Sequence, residues 1–389
     1  MKLIEVNDRR TSGEFLKLPR IIYSGDPFWI PHLDNDVEAV FDPLKNPLFR
    51  SGELKRWILK DNAGNLIGRV AAFVNGLTAH TGKLSAGGMG FFECIDNREA
   101  AFALFERCSE WCRSKGMDVM DGPINFGDKE RFWGLLSDGF GTPPPYLINY
   151  NPPYYRELFE QYGFANYYEQ YIYSIEAGIA LPPIVEKKFE RLTQTQGYHF
   201  EHMKLANLEK YTGDFMTIYN QAWSDAHQNF HPLGKDQALE IFARMKSVID
   251  EELIVFAYHH GKPVAFFVGI PELNQILRYV DGKMDLKGKL KFLYHRWRGK
   301  CRVIYGMVFG IIPGYQNRGL ESGLIMSIKQ IVSKNNFYDS MLITWIGDFN
   351  PKMIKIVEHI GAKRIFTLVT YRKPLQQGIV FERHPVIGH

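Results

Sequence analysis

The sequence predicts an α/β (α+β) chain of two similar halves in tandem, each a sheet flanked by helices. Two observations lead there. The same order of strands and helices is read once within 1–175 and again within 197–389, with a connector at 176–196. The segments starting at Asn151, NPPYYRELFEQYGFANYYEQYIYSIE, and at Asn350, NPKMIKIVEHIGAKRIFTLVTYRKPL, both run Asn-Pro, helix, Gly, strand. The length agrees, since 389 residues exceed what one core usually holds.

In the first half, 2–6 predicts a strand, and 14–23 and 34–40 predict helices separated by the aromatic, Pro-bearing turn DPFWIP. Residues 54–59 and 65–74 read as a hairpin around Asp61-Asn62-Ala63-Gly64. The apolar run 87–95 is a strand leading into a helix over 98–115, with Asp96 and Glu99 at capping-box spacing and Gly116 at its stop. A strand at 117–120 precedes a Gly- and Pro-rich loop, 121–153. A loop of that length in a compact domain is expected to be a lid or a site wall.

The connector holds Pro182-Pro183 and a short amphipathic helix, 184–192. The second half then predicts a strand at 198–205, helices at 208–223 and 235–249, and a hairpin of 253–258 and 263–269 around His259-His260-Gly261-Lys262. After an insertion at 278–300 comes the stretch on which the functional reading turns, CRVIYGMVFGIIPGYQNRGLESGLIMSIKQIVSK. It predicts a buried strand at 303–312, a turn at Pro313-Gly314, and a helix from about Arg318-Gly319 carrying Leu320, Leu324, Ile325, Ile328, Ile331 and Val332 at helical spacing. Such a helix start offers free N–H groups and the positive end of a dipole, which suit a phosphate. Gly319 permits close backbone approach, and Gln316, Asn317 and Arg318 give polar and cationic cover. A strand at 340–346, a helix at 351–360 and a strand at 364–371 close the chain.

Composition excludes several classes. The apolar and charged fractions, 45% and 23%, are those of a globular protein. A formal charge of +4 points to no DNA partner. The four cysteines form no CxxC, so neither a metal cluster nor a disulfide framework is expected. The first residues, MKLIEVNDRR, lack an apolar leader core, and no apolar run is long enough to span a bilayer. A cytoplasmic, reducing compartment is expected.

The stretch after Cys301 resembles the acyl-CoA signature of the GNAT acyltransferases. Gln316, Arg318 and Gly319 match its Gln/Arg-x-x-Gly-x-Gly/Ala, and Ile311-x-Pro313 matches the preceding Val-x-Pro, whereas Glu321 stands where Gly or Ala is usual. The Asn-led helix closed by Gly, seen twice, is similar to the end of the GNAT fold. The whole chain thus resembles a tandem GNAT protein. The first half, through DPFWIPHL, KNPLF, GRVAAFVN, GFFECID, GPINFG and YNPPYY, is also similar to uncharacterised bacterial two-domain GNAT-like proteins. The resemblance implies two mixed, mostly antiparallel sheets, splayed after the fourth strand of each. It also implies acetyl-CoA or a longer acyl-CoA as co-substrate, held by Phe309, Ile311, Gln316, Asn317, Arg318, Gly319, Leu320, Glu321, Ser322 and Asn350. Where the second half has GYQNRGLES the first has ECIDNREAA, whose acidic helix start would repel a pyrophosphate, so the first copy is expected to serve as a wall.

Acyl transfer needs an amine to lose a proton and attack a thioester. Many family members use a Glu early in the fourth strand and a Tyr in the last helix. Here Tyr305 takes the place of the Glu, and Val357 and Phe159 take that of the Tyr. His227 and His231, in the loop between the first two helices of the second half, are candidate substitute bases, with a water relay as the alternative. The insertion 278–300 interleaves Lys283, Lys287, Lys289, Lys291, Arg296, Arg298 and Lys300 with Phe292, Leu293, Tyr294 and Trp297. This pattern suits peripheral contact with a membrane or an anionic ligand; one such segment is poor ground for RNA. The expected reaction is transfer of an acyl group from acyl-CoA to a small amine or a lipid-like acceptor, without a metal. The alternatives are an aminoacyl-tRNA-dependent transferase and a non-catalytic CoA-ester or small-ligand binder.

Overall fold

The computed structural model of the protein describes residues 1–224, 232–335 and 337–386. The first half comprises β1 (Lys2–Glu5), α1 (Arg9–Ile22), α2 (Asp34–Phe41), β2 (Glu53–Lys60), β3 (Leu66–Val74), β4 (Ala86–Cys94), α3 (Arg98–Ser114), β5 (Val119–Gly122), β6 (Leu135–Asp138), α4 (Tyr154–Tyr162) and β7 (Ala165–Glu176). The connector carries α5 (Pro183–Gln194). The second half comprises β8 (Tyr198–His202), α6 (Leu208–Ser224), α7 (Lys235–Met245), β9 (Ile254–His259), β10 (Lys262–Pro271), α8 (Asn274–Leu277), α9 (Leu286–Trp297), β11 (Val303–Ile311), α10 (Leu320–Asn335), β12 (Ser340–Gly347), α11 (Pro351–His359) and β13 (Lys363–Pro374).

Local chemistry sets several boundaries. Helix α1 starts earlier than residue 14 because Asp8 accepts the Thr11 N–H at 2.7 Å while the Thr11 hydroxyl accepts the Asp8 N–H at 3.3 Å, a reciprocal cap. Helix α3 is capped by Asn97, whose Oδ1 accepts the Ala100 N–H at 2.9 Å, and not by Asp96 as the spacing suggested. Gly163, at φ +95°, ends α4 in the left-handed conformation. The long loop 121–153 contains β6, a short strand between Gly-rich turns that the sequence does not announce.

The strands form a single mixed sheet in the order β1-β2-β3-β4-β5-β13-β7-β12-β11-β10-β9-β8, with β6 also alongside β13. Pairing is antiparallel except for β4–β5 and β11–β12. Both parallel pairs come apart part-way, after Gly88↔Asp121 in the first half and after Gly306↔Ile343 in the second. The sheet does not stop between the halves. The closing strand of the first half, β7, pairs with β12, the closing strand of the second, β13, pairs with β5, and β7 and β13 pair with each other. Each half therefore supplies the strand that flanks the other's fifth strand, and two expected sheets are one.

Helices cover both faces. Helices α3 and α4 pack on the first half through Leu104, Phe105, Cys108 and Phe159, while Phe15 of α1 and Val37 of α2 pack on the opposite side. In the second half, Leu320, Leu324 and Ile328 of α10 meet one face of β9–β11, and Phe215, Ile218 and Phe242 of α6 and α7 the other. Full burial of one such side chain contributes about 1.5–3 kcal/mol, so these faces fix where the helices start and hence where the loops before them lie.

Candidate active site between β11 and β12

Beyond Gly306 and Ile343 the two strands diverge and leave a notch. Met307, Val308, Phe309 and Ile311 on one arm and Thr344 and Trp345 on the other are only half-buried. The β11 arm ends in a single 3-10 turn, Pro313–Tyr315. The loop then passes through left-handed conformations at Asn317 (φ +60°) and Gly319 (φ +89°) before α10 begins. By helix geometry the N–H groups of Leu320, Glu321 and Ser322 have no carbonyl partner within α10. Gln316, Asn317 and Arg318 are exposed, and the Arg318 guanidinium lies 5.0 Å from the Tyr315 ring centre. The Leu320 side chain is buried in the core, so only its backbone faces the loop.

Helix α5 closes one side of this loop. A Cβ added to Gly319 would lie 3.6 Å from Lys188 Cβ. The Lys188 ammonium is 4.0 Å from Glu321 Oε1. The carboxylate that departs from the signature is thus turned toward a cation on the connector helix. Lys188 is a residue that sequence reasoning missed, since nothing in a solvated connector helix signals that it docks at a loop far along the chain.

The corresponding place in the first half is filled. After Gly88 the β4 backbone bonds to the loop, the Ile124 N–H donating to the Met89 carbonyl at 2.8 Å. A Cβ on Gly90 would lie 1.9 Å from the Ile124 oxygen. Phe91 and Phe132, 5.2 Å apart, occupy the space beyond. What remains is a cavity of about 60 Å³ lined by His32, Arg69, Glu93, Pro123 and Tyr155 among others. DPFWIPHL, GRVAAFVN, GFFECID, GPINFG and YNPPYY, widely spaced in sequence, all contribute to it. Glu93 accepts from the Tyr23 hydroxyl at 2.7 Å and the Tyr155 hydroxyl at 2.9 Å, and lies 3.6 Å from Arg69. Burial pushes its carboxyl up, with Arg69 opposing. Burial likewise pushes His32 down to about 4, so its ring is neutral. The signal for this cluster was a lone charge in each of two apolar strands, which the register places directly opposite, Arg69↔Glu93.

No protein-family model matches the chain. It is 25% identical to the bacterial ceramide synthase of Caulobacter vibrioides over 383 residues, 96% of this chain and 98% of that one. It is 23% identical to protein YghO of Escherichia coli over 369 residues, 93% and 92% of the two chains. Among solved structures, a tandem GNAT protein from the clavulanic acid biosynthesis pathway superposes with a TM-score of 0.56 over 97% of this chain and 99% of its own, at 9% identity. This chain has the tandem GNAT fold. A GCN5-related N-acetyltransferase from Sphaerobacter thermophilus agrees, with a TM-score of 0.51 over 98% of both chains at 11% identity. So does the glucosamine N-acetyltransferase region of a fungal multi-domain β-N-acetylglucosaminidase, with a TM-score of 0.56 at 11% identity, where this chain spans 95% of itself and 38% of that protein.

Within the tandem GNAT fold the expected catalytic residues fare differently. Tyr305 sits at the root of the notch, 5% exposed, with its hydroxyl 3.4 Å from Thr344 Oγ1. Burial pushes that hydroxyl far above the usual phenol range. It stays protonated near neutrality and can donate a hydrogen bond but cannot serve as a base. His227 and His231 lie outside the described residues. Asn350 uses its side-chain oxygen to cap α11, accepting the Met353 N–H at 3.2 Å. Val357 is buried among Tyr173, Leu181 and Val185, and Phe159 among Phe92, Phe105 and Phe164.

One carboxylate of the first half that the sequence did not single out acts through its charge on Tyr305 at the root of the notch. Glu130, in the loop between β5 and β6, is accessible to water, yet its charge acts on both Tyr305 of β11 and Tyr219 of α6. Desolvation by the surrounding protein pushes its pKa up, and the Asp128 charge adds to the effect. The same long loop is tied to the second half elsewhere. Glu272, just past β10, accepts the Tyr146 N–H at 2.9 Å, and Asn274 Nδ2 donates to the Pro144 carbonyl at 2.8 Å. Tyr146 of this loop, expected as a lid or a site wall, packs in one cluster with Tyr305 and Met307 of β11.

Proposed function

We propose that this protein is an N-acyltransferase that holds an acyl-CoA in the β11–β12 notch and passes its acyl group to the amine of a lipid-like acceptor. The observation that carries the reading is the asymmetry of the two splayed strand pairs: the second is open and ends in a glycine loop flanked by Arg318 and Lys188, and the first is filled by Ile124 and Phe132. In this reading 197–389 is the acyl-CoA unit, 1–175 the supporting unit and 176–196 the connector. The backbone from Gln316 to Ser322 takes the pyrophosphate, and Phe309 and Ile311 line the path of the thioester arm. The lipid-like acceptor is supported by the relative named bacterial ceramide synthase, which aligns over nearly the full length of both chains.

Chemically, the amine nitrogen attacks the thioester carbonyl, the C–N bond forms, the C–S bond breaks, and the thiolate leaves with the CoA. A thiolate with a pKa of roughly 8.5 departs without strong acid help. The amine proton needs an acceptor, and in this reading it is Glu130, whose charge acts on Tyr305 at the root of the notch and whose carboxyl is pushed up by desolvation. The test is release of free CoA thiol from acetyl- and palmitoyl-CoA with long-chain amino alcohols as acceptors. Glu130→Gln is expected to lower kcat by about a hundredfold or more with acyl-CoA affinity unchanged. His227→Ala and His231→Ala, in the same assay, test the histidine alternative. Full activity of Glu130→Gln removes Glu130 from the chemistry, and acyl-CoA binding without thiol release on any amine removes the reaction.

A further inference from the structure

Helix α9 is anchored by one side and bare on the other. Gly288 and Phe292 are buried, and Gly288 lies so close to Lys283 that a Cβ would stand 1.9 Å from its carbonyl oxygen. Asp285 caps the helix by accepting the Gly288 N–H at 2.8 Å, and His295 stacks on Tyr279 at 3.8 Å. These contacts fix the rotation of α9. They leave Leu286, Leu290, Leu293, Tyr294 and Trp297 exposed by 75%, 60%, 60%, 54% and 81%. At about 100° per residue these five side chains fall in an arc of about 100°, opposite Gly288 and Phe292. Lys287, Lys291 and Arg298 border the arc on one side and Lys289 on the other, all exposed. None of the four is paired with a described residue.

We propose that this face of α9 docks the protein on an anionic lipid surface. A stripe of large apolar residues bordered on both sides by free cations is what an interfacial helix presents, the stripe entering the acyl boundary while the cations meet the headgroups. Charge complementarity selects this occupant. A second copy would bring Lys287, Lys289, Lys291 and Arg298 against their own kind, and a nucleic acid would leave the leucines unburied. No helix among the described residues is long and apolar enough to cross a membrane, so attachment would be to the surface. The chain runs from α9 through Cys301 straight into β11, so the docked face adjoins the notch in sequence.

The experiment is vesicle flotation of the full chain, which needs no acyl transfer and so stands or falls apart from the enzymatic reading. The protein is expected to float with vesicles of phosphatidylcholine and phosphatidylglycerol in equal parts, and about tenfold less with phosphatidylcholine alone. Leu293→Ser combined with Trp297→Ser is expected to lower the bound fraction about tenfold. Lys287→Glu combined with Lys291→Glu removes the preference for phosphatidylglycerol, and added salt weakens wild-type binding. All these positions are exposed, so thermal melts of the variants should match wild type. Absence of wild-type flotation, equal flotation by the Ser variant, or an α9-dependent dimer in sedimentation equilibrium overturns the proposal.

Discussion

A carboxylate that accepts several backbone N–H groups is ordinarily held ionised. Glu272 accepts three, from Tyr146, Asn274 and Gln275, and is still pushed up from 4.5 to about 7 because burial outweighs them. Its folded pKa lies above its unfolded one, so its contribution to stability is fully present below about pH 4.5 and is lost as pH rises through about 7. The difference is about 3 kcal/mol at most, at roughly 1.4 kcal/mol per pKa unit. Urea unfolding at pH 5 and pH 8 should therefore show a drop in wild type that shrinks in Glu272→Gln; an identical drop in both would assign it elsewhere. At the notch, Gly319 is constrained by its backbone more than by its surroundings, since an added Cβ would meet nothing closer than 3.6 Å. Its φ of +89° is costly for any side chain, and Gly319→Asp adds a carboxylate where an anion is to bind. Calorimetry should show acyl-CoA affinity reduced about tenfold or more, about 1.4 kcal/mol, with Gly319→Ala reduced less because it adds strain without charge. Equal affinity in all three proteins would move the pyrophosphate site.

Elements were legible where one segment carries its own signal. The Asn-Pro start of α11, the Gly stops of α4 and α11, the turn at Gly64 and the helical spacing of Leu320, Leu324 and Ile328 each specify local structure whatever lies beside them. Caps were less so, because Asp96 and Asn97 are adjacent and both are good capping residues. The structure gives the role to Asn97, so Asn97→Ala should destabilise by about 1 kcal/mol and Asp96→Ala by less, read as the difference in thermal melting point. Equal shifts would mean that the two share the cap. What no single segment could reveal is which strand lies next to which. The periodicity of β7 and β13 marks them as strands but does not name their neighbours, so their sequences are silent on the exchange. The site suffered for the same reason. Lys188 docks beside the glycine loop from α5, and the Glu130 charge acts on Tyr305 from the β5–β6 loop, across a separation that no spacing rule covers.

For the molecule as a whole, the exchange of β7 and β13 makes the halves mutually dependent. Neither 1–175 nor 197–389 contains every strand of the sheet that it organises. Denaturant unfolding followed by tryptophan fluorescence and by circular dichroism should give coincident single transitions; two resolved steps would show that the halves are independent after all. Each half expressed alone should be insoluble, and the two co-expressed should recover a soluble complex. The exchange also has a temporal side, set by the direction in which a ribosome builds the chain. Strand β5 is finished at residue 122, but its neighbour β13 begins only at residue 363. At about 5–20 residues per second, the edge of β5 waits roughly 10–50 s for its partner. During that interval a nascent chain carries an unpaired strand edge, the kind of surface that invites pairing with another chain. Slower translation lengthens the exposure, so yield of this protein should depend on elongation rate and on chaperones that shield a growing polypeptide.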